Sequence, residues 1–195
     1  MPCEDVRVTS SDGVRSNTRV RPATVADADA IARVQAVAWQ RGYATLLPPE
    51  ALEEFDAAAA GAAWAAALMS PPSPRHHVLV AMSDDEVVGF TAWGPGDDDD
   101  LEITTDAEVL AFHVVPRHER DGHGSRLMTA LVDQARLAGT TRLVMWVFAA
   151  DDPLRQFLRD NGWAPDGSTR DLDAGELMHQ VRLHTQIGER PDIIA

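Results

Sequence analysis

Residues 114–127 read VVPRHERDGHGSRL, and this stretch says most about the kind of fold that the sequence encodes. An apolar run typical of a strand ends at Pro116, and a polar loop with two glycines leads into an amphipathic helix. In such a loop the backbone N–H groups gather at one place, with the positive end of the helix dipole behind them. Arg120 and Arg126 flank the loop. The pattern therefore predicts a binding site for a molecule that carries phosphate.

The same glycines would also suit a purely structural tight turn, because glycine adopts positive φ at little cost. Two phosphate-binding motifs do not fit. The P-loop requires Gly-Lys-Ser/Thr, and the chain contains no lysine. The dinucleotide fingerprint requires a glycine three residues after Gly124, where Leu127 stands. A phosphate site of another kind and a structural turn both stay open at this point.

The rest of the chain alternates between strand and helix patterns. Strands are predicted at Val20–Pro22, His77–Met82, Val87–Trp93, Val109–Val115, Leu143–Phe148 and Leu177–Leu183. Helices are predicted after Thr24 as N-cap, from Leu47 onward, over Ala57–Leu68, from the glycine loop to about Ala138, and after Asp152 as N-cap with Pro153 at N1. This order predicts a mixed α/β fold, in which an antiparallel meander is followed by crossovers.

The chain reads as one domain with two tails. Residues 1–18 are polar and lack periodicity, which predicts a flexible N-terminal tail. Residues 19–184 contain no internal repeat and no second linker, so they are predicted to form a single domain. Residues 185–195 are predicted to form a C-terminal tail. Within the domain, the loop Gly94–Asp100 carries four consecutive aspartates, whose mutual repulsion predicts a mobile segment.

Charge and composition limit the function. The 195 residues include 31 acidic side chains and 17 arginines, giving a formal net charge of −14. Such a surface repels nucleic acid and anionic lipid, argues against both as partners, and favours cationic molecules such as amines. No apolar run approaches the length of a membrane span, and the N-terminus lacks the pattern of a secretory signal. Since Cys3 is the only cysteine, no disulfide framework is expected, and a cytoplasmic location is predicted.

The glycine stretch resembles motif A of the GNAT superfamily, whose members transfer an acetyl group from acetyl-CoA to an amine. That motif reads roughly Arg/Gln-x-x-Gly-x-Gly/Ala after a strand that ends in Val-x-Pro. Gly122 and Gly124 match its glycines, and Val114–Pro116 matches the strand end. Glu119 stands at the Arg/Gln position and departs from the pattern. The resemblance extends over residues 19–184, through the segments Arg19–Asp27, Trp39–Pro48 and Asp151–Trp163.

The resemblance implies a GNAT fold, with a central, mostly antiparallel twisted sheet flanked by helices. It also implies acetyl-CoA as cosubstrate, a small-molecule amine as acceptor and no metal, and it allows a homodimer because many members dimerise. By the same resemblance, backbone groups of Phe112, His113 and Val114 hold the pantetheine arm and the oxyanion. The pyrophosphate is expected on the amides of Arg120, Asp121, Gly122, His123, Gly124 and Ser125. Asp151 stands where an asparagine often contacts CoA.

Two residues are candidates for the catalytic base. Glu108 stands where a family glutamate often acts through water, although it would equally suit an ion pair on a half-exposed strand. His113 has a suitable unperturbed pKa, near 6.5, but would equally suit a packed core position. The odd separation of Glu108 and His113 places them on opposite faces of a regular strand. A β-bulge, usual in this strand of the family, reverses that arrangement.

The other candidates have weaker support. Many family members carry a tyrosine that protonates the leaving thiolate, and Leu158 occupies its place here. The only tyrosine, Tyr43, and Trp39 are expected either to line the acceptor pocket or to pack in the core. The pattern His118-x-x-Asp121-x-His123 suggests a metal site, but it contains no cysteine and overlaps the phosphate loop, so no metal is predicted.

Three functions follow from the sequence. The leading prediction is an acetyl-CoA-dependent N-acetyltransferase of a small amine. The second is a GNAT-fold domain that binds acyl-CoA with weak catalysis, which the residues at positions 119, 151 and 158 favour. The third is an α/β interaction protein in which the glycine loop is only a turn.

Overall fold

A computed structural model of the protein describes residues 17–42, 44, 56–173 and 177–188. The strands are β1 (Thr18–Pro22), β2 (His77–Ser83), β3 (Glu86–Gly94), β4 (Asp106–Val114), β5 (Arg142–Phe148), β6 (Ala164–Asp173) and β7 (Leu177–Gln186). The described α-helices are α1 (Ala28–Gly42), α2 (Ala57–Met69), α3 (His123–Leu137) and α4 (Asp152–Asp160), with 3₁₀ turns at Val25–Asp27 and Pro116–His118. None of these helices is both long and apolar enough to cross a membrane.

The seven strands form one sheet in the order β1-β2-β3-β4-β5-β7-β6. The first four strands form an antiparallel meander, β4 and β5 run parallel, and β7 and β6 complete the sheet in antiparallel pairing. The parallel pair requires a crossover, which α3 supplies. This architecture confirms the predicted mixed α/β fold with its meander and crossovers.

Helices cover both faces of the sheet. A Cβ placed on Gly89 in β3 would lie 3.2 Å from Leu127 Cδ1 of α3. The next residue, Phe90, packs edge-on against Trp64 of α2, with ring centroids 5.2 Å apart. Because neighbouring strand residues point to opposite faces, α2 and α3 lie on opposite sides of the sheet. We call these the α2 face and the α3 face.

The acidic side chain at the start of the α1 region has a structural role. Arg21 in β1 donates two hydrogen bonds to the carboxylate of Asp27, at 2.7 and 2.8 Å. The backbone N–H and the hydroxyl of Thr24 donate to the same carboxylate, at 2.8 and 2.9 Å. Thr24 therefore precedes a helical segment as predicted, but this segment begins with a 3₁₀ turn and passes into α1 at Ala28.

Two sequence-based expectations about the C-terminal third are wrong. Asp151, not Asp152, is the N-cap of α4, because its carboxylate accepts a hydrogen bond from Leu154 N at 3.1 Å, and Pro153 lies one position further into the helix than predicted. Strand β6 was not predicted at all. Its residues are almost all exposed, so it lacks the alternating apolar pattern that reveals a half-buried strand.

Candidate active site

The glycine loop joins the 3₁₀ turn at Pro116–His118 to α3. Its backbone is left-handed at Arg120, with φ of 63°, and at Gly122, with φ of 81°. Gly122 is the N-cap of α3. The Arg126 guanidinium, one turn into the helix, donates to the carbonyl oxygen of Asp121 at 3.1 Å and so ties the loop to the helix. The loop is thus a fixed turn at the positive end of a 15-residue helix.

The amides of this loop are free donors. The amide of Arg126 donates to the Gly122 carbonyl at 3.1 Å, as expected for the first hydrogen bond of a helix. Within the described part of the chain, the amides of residues 120–125 donate to no acceptor with ordinary hydrogen-bond geometry. These are the six amides on which the family resemblance leads us to expect a pyrophosphate. The loop therefore offers an anion several N–H groups beside a helix N-terminus.

Next to the loop, the sheet is split between its two parallel strands. β4 and β5 pair only at their starts, where Asp106–Glu108 lies against Arg142–Val144. Beyond Glu108, the edge of β4 that faces β5 has no strand partner in the described sheet. The residues predicted to hold the pantetheine arm lie on this free edge, namely Phe112, His113 and Val114. On the α3 face, Phe112 packs against Phe157 of α4, with ring centroids 5.6 Å apart.

A β-bulge brings both candidate bases to one face. Along β3, Phe90 and Gly94 share a face, and they pair with His113 and Glu108 of β4. Ala92 pairs with Ala111 and Trp93 with Val109, so Leu110 is the extra residue of a bulge. Glu108 and His113 therefore both lie on the α2 face, as the bulge hypothesis required.

Burial raises the pKa of Glu108 above its usual value. The nearby cation of Arg170 opposes this rise, whereas the carboxylates of Asp98 and Asp97 reinforce it. A carboxylate whose pKa is raised accepts protons more readily, which suits a general base near neutral pH. Glu108 also lies in a narrow space, because a Cβ on Gly96 would come 3.0 Å from its carboxylate.

His113 is placed differently. Its ring packs against Phe90, with centroids 5.4 Å apart, and burial lowers its pKa to about 4. The imidazole is therefore neutral at physiological pH and holds a proton weakly. It fits the packed-histidine interpretation, and Glu108 is the stronger candidate for a base.

The acidic loop is held by a buried arginine. Only 3% of the Arg182 side chain in β7 is exposed, and its guanidinium contacts three carboxylates. It donates to Asp98 at 2.8 Å, to Asp100 at 2.5 Å and to Asp166 at 2.7 Å. The indole of Trp146 donates to Asp98 as well, at 2.9 Å. The prediction of a self-repelling loop is therefore wrong, because a buried cation and an indole hold two of its aspartates.

Leu158 occupies the position at which many family members carry a tyrosine. Leu158 in α4 is completely buried and packs in the main apolar cluster. Asp151 uses one carboxylate oxygen as the cap of α4, and burial raises its pKa. A leucine cannot donate a proton, so thiolate protonation by a residue at position 158 is ruled out by the sequence.

Of the two residues predicted to line the acceptor pocket, Trp39 and Tyr43, only Trp39 lies among the described residues. Trp39 lies near the end of α1 and is partly buried. Tyr43 lies outside the described residues, as do Leu46–Pro48 and Cys3. The pocket role of Trp39 and Tyr43 therefore stays a prediction.

The structure brings together His118, Asp121 and His123, which the sequence marked as a weak metal pattern. One ligand-capable atom of each lies within 4.8 Å of the others. His118 Nδ1 is 3.5 Å from a carboxylate oxygen of Asp121, which turns this acidic side chain toward the histidine. His123 is buried at the start of α3.

Comparison with known proteins is consistent with these features. The sequence model of the acetyltransferase (GNAT) family matches residues 39–163, which is more than half of the chain. The chain belongs to the GNAT family. Acetyl transfer is therefore the class of chemistry of this GNAT protein, and the resemblance noted in its sequence is confirmed.

Solved GNAT structures share the fold at low sequence identity. PaiA N-acetyltransferase from Thermoplasma acidophilum, solved with coenzyme A, is 14% identical, with a TM-score of 0.69 over 87% of this chain and 99% of its own. YncA from Salmonella typhimurium, solved with acetyl-CoA, is 20% identical, with a TM-score of 0.67 over 90% and 98%. The ribosomal-protein-alanine N-acetyltransferase from Brucella melitensis is 20% identical, with a TM-score of 0.67 over 86% and 99%. Curated proteins yield no sequence match.

Sequence reasoning missed one group of site residues in this GNAT protein. Arg170 in β6 and Arg182 in β7 both lie over the ring of Trp146, at 4.3 and 5.6 Å from its centroid. Both also act on the pKa of Glu108. The apolar pattern of Leu177–Leu183 predicted strand β7, but nothing local to Arg182 indicates that two of its three carboxylate partners lie in a loop more than 80 positions earlier.

Proposed function

We propose that this protein is an acetyl-CoA-dependent N-acetyltransferase that acetylates a primary amine of a small molecule. The observation that carries the proposal is the combination of six free amides at the start of α3 with the split between β4 and β5. Together they offer an anion-binding turn and, next to it, an edge of β4 that β5 does not cover. Neighbouring structures solved with coenzyme A or acetyl-CoA support this cosubstrate.

The residues present fit the cosubstrate. The pyrophosphate would be held by the amides of residues 120–125, with Arg126 bracing the loop from behind. The pantetheine arm would lie along the free edge of β4 at Phe112, His113 and Val114. The carboxylate of Asp121 lies 3.5 Å from His118 Nδ1, so this side chain is turned toward the histidine. When bound, acetyl-CoA supplies an activated thioester carbonyl.

Glu108 is the proposed base. The acceptor amine must lose a proton as it forms the new bond to the acetyl carbon, and Glu108 takes this proton through one water molecule. Two observations support this role. Burial raises the pKa of the Glu108 carboxyl group, and its side chain lies on the α2 face of β4, the strand proposed to hold the pantetheine arm. Backbone N–H groups of β4 beyond Glu108 would donate to the carbonyl oxygen as negative charge develops there.

The carbon–sulfur bond then breaks, and the thiolate leaves. Leu158 offers no proton and is buried in the core, so the thiolate takes its proton from water or from another side chain, or leaves unassisted. This observation favours a second candidate function, a GNAT-fold domain that binds acyl-CoA and turns over slowly or not at all. Glu119 and Asp151, which also depart from the family pattern, point the same way.

The first test is thermal unfolding of the protein with and without millimolar acetyl-CoA. A ligand at about 100 times its dissociation constant adds about 2.7 kcal/mol to the free energy of unfolding, which raises Tm by several degrees. The double variant Arg120→Glu, Gly122→Asp should lose this shift. Absence of any shift in the natural protein would refute the cosubstrate assignment.

The second test separates the two candidate functions. The protein is incubated with acetyl-CoA and a panel of small primary amines, and acetylated product is followed by mass spectrometry. Product with any amine, lost in Glu108→Gln, supports the transferase. Cofactor binding without product across the panel supports the weakly catalytic domain instead.

A further inference from the structure

The cluster of His118, Asp121 and His123 has the composition of a metal site. Its three residues come from three consecutive segments, the end of the 3₁₀ turn, the glycine loop and the first residue of α3. One ligand-capable atom from each lies within 4.8 Å of the other two. The two imidazole rings stand perpendicular to one another, with centroids 5.5 Å apart.

One nitrogen of this cluster is buried without a partner. His123 is 2% exposed, and its Nδ1 makes no hydrogen bond within the described part of the chain. A buried polar atom left unsatisfied costs about 1–3 kcal/mol, so a native structure usually provides a water molecule or an ion for it.

Burial without a partner is not sufficient by itself. His184 Nδ1 is also buried and unpartnered, but His184 is not part of any such group of ligand-capable residues among those described. The His179–Asp171 pair has a 2.9 Å contact, but it lacks a third ligand. Within the described residues, only at the glycine loop do an orphaned buried imidazole, a second imidazole and a carboxylate come together.

We propose that His118, Asp121 and His123 bind one divalent transition-metal ion of the zinc type beside the glycine loop. Two imidazoles and a carboxylate form a donor set that suits Zn²⁺ and leaves the fourth tetrahedral position to water. Bond lengths near 2.0–2.2 Å bring such ligand atoms closer together than 4.8 Å. Asp121 and His118 can close this gap by side-chain rotation, because 59% and 22% of their side chains are exposed.

The ion would act on the loop in two ways. It would cross-link the two ends of the segment that contains the left-handed residues Arg120 and Gly122, which stabilises this turn. It would also neutralise Asp121, the one carboxylate in the middle of an anion-binding loop. The second effect depends on the proposed function, since it predicts that zinc strengthens acetyl-CoA binding. Metal binding itself does not depend on acetyl-CoA.

The test is a zinc titration of the full chain, freed of metal with a chelator and measured by calorimetry without acetyl-CoA. Cys3→Ser serves as the background, because the single thiol is a zinc ligand of its own. One ion per chain is expected to bind. His118→Gln and Asp121→Asn should each weaken zinc binding by at least about tenfold. Both side chains are partly exposed, so these variants should fold, whereas a change at buried His123 would also disturb packing.

The matched control is His179→Gln, which breaks the other histidine–aspartate pair and should leave zinc affinity unchanged. Co²⁺ added in place of Zn²⁺ gives a visible absorption band that reports imidazole and carboxylate coordination, and this band should be lost in His118→Gln. The proposal is overturned if no zinc binds, or if both cluster variants bind it as tightly as the background does. Zinc binding without acetyl-CoA binding would overturn the proposed function and leave the metal site standing. Acetyl-CoA binding without zinc binding would overturn the metal site and leave the proposed function standing.

Discussion

Glu108 and His113 lie on the same face of β4, because the bulge at Leu110 adds one residue between them. The two side chains nevertheless differ in chemistry. Burial raises the pKa of the carboxylic acid and lowers that of the imidazole to about 4. Both shifts favour the neutral form of the side chain. The raised pKa makes the carboxylate a stronger proton acceptor, whereas the lowered pKa makes the imidazole a weaker one. The base of the proposed reaction should therefore be Glu108.

Replacing Glu108 by glutamine should lower kcat/KM for acetyl transfer by about 10²–10⁴-fold, the usual contribution of a general base. His113→Gln should have a much smaller effect. Acetyl-CoA binding, followed by calorimetry, should stay unchanged in Glu108→Gln because the phosphate loop is untouched. Equal losses of activity in the two variants would contradict this assignment of the base.

The pH dependence follows from the same residue. A base must be ionised, so activity should fall with decreasing pH at a value above the usual pKa of a glutamate, because burial raises the pKa of Glu108. The contribution of Glu108 to the stability of the fold changes with pH in the opposite direction. A carboxyl group whose pKa is raised stabilises the fold fully below its unfolded pKa, and this contribution is lost as the pH rises through the folded value. Glu108→Gln should therefore keep or raise Tm at neutral pH while it removes the acidic limb of the rate profile.

Gly122→Ala should separate the role of the loop from ordinary backbone strain. Gly122 has a φ of 81°, and a Cβ there would lie 2.7 Å from the Arg126 guanidinium. The control is Gly139→Ala, at a φ of 84° with no atom within 4 Å of its Cβ. Both variants should lose about 1–2 kcal/mol of unfolding free energy from the left-handed backbone. Only Gly122→Ala should weaken acetyl-CoA binding, and a similar loss of affinity in Gly139→Ala would show a global effect instead.

Local patterns predicted the parts of the site that depend on short stretches of chain. The glycine loop, β4 and α3 follow one another within 40 residues, so periodicity and turn chemistry are enough to place them. The helix predicted to end at about Ala138 ends at Leu137, and Gly139 just after it has the left-handed backbone that is common at this position. The bulge at Leu110 was anticipated only through the family resemblance, because nothing in the apolar run of β4 marks it.

Other features depend on contacts that local sequence patterns do not reveal. Strand β6 is polar and exposed, and its pairing with the edge of β7 makes it a strand. The four aspartates beginning at Asp97 repel one another in isolation, but Arg182, 84 positions after Asp98, reverses the sign of this local argument. Asp151 and Asp152 are equally good caps in sequence, and the structure uses the first of them.

The Arg182 cluster should be a main source of stability. Removing a buried partner of several charges leaves the others uncompensated and typically costs about 3–5 kcal/mol. Arg182→Met should lower the unfolding free energy by this amount in urea titrations, since Asp98, Asp100 and Asp166 would lose their shared cation. Arg19→Met, which breaks an exposed pair with Asp85, should change little. A cost for Arg182→Met as small as that of Arg19→Met would mean that solvent already compensates the aspartates.

Asp27 should make stability depend on pH in the acidic range. Its pKa is lowered to about 2, first by the hydrogen bonds from Arg21 and then, against the cost of burial, by those from Thr24. A lowered carboxyl pKa contributes stability above the unfolded value, near 3.9, and that contribution is lost as the pH falls toward 2. The shift corresponds to about 2 kcal/mol.

Asp27→Asn should therefore unfold more easily than the natural protein at pH 7, by about 2 kcal/mol in urea titrations. The difference should shrink between pH 4 and pH 2, where the natural residue becomes protonated. Asp85→Asn provides a control, because Asp85 is fully exposed and should show no such trend. A difference that stays constant down to pH 2 would mean that the amide perturbs packing rather than charge.

Leu158 offers a direct test of whether the proton for the thiolate limits turnover. Leu158→Tyr places a phenol at this position, and Leu158→Phe places a ring of nearly the same size without the hydroxyl. Because Leu158 is completely buried, both variants should lose about 1–3 kcal/mol from overpacking. If water alone protonates the thiolate, Leu158→Tyr should acetylate a given amine faster than Leu158→Phe, by about tenfold or more. Equal rates at equal stability would mean that the thiolate leaves unassisted and that the absence of a tyrosine does not limit the enzyme.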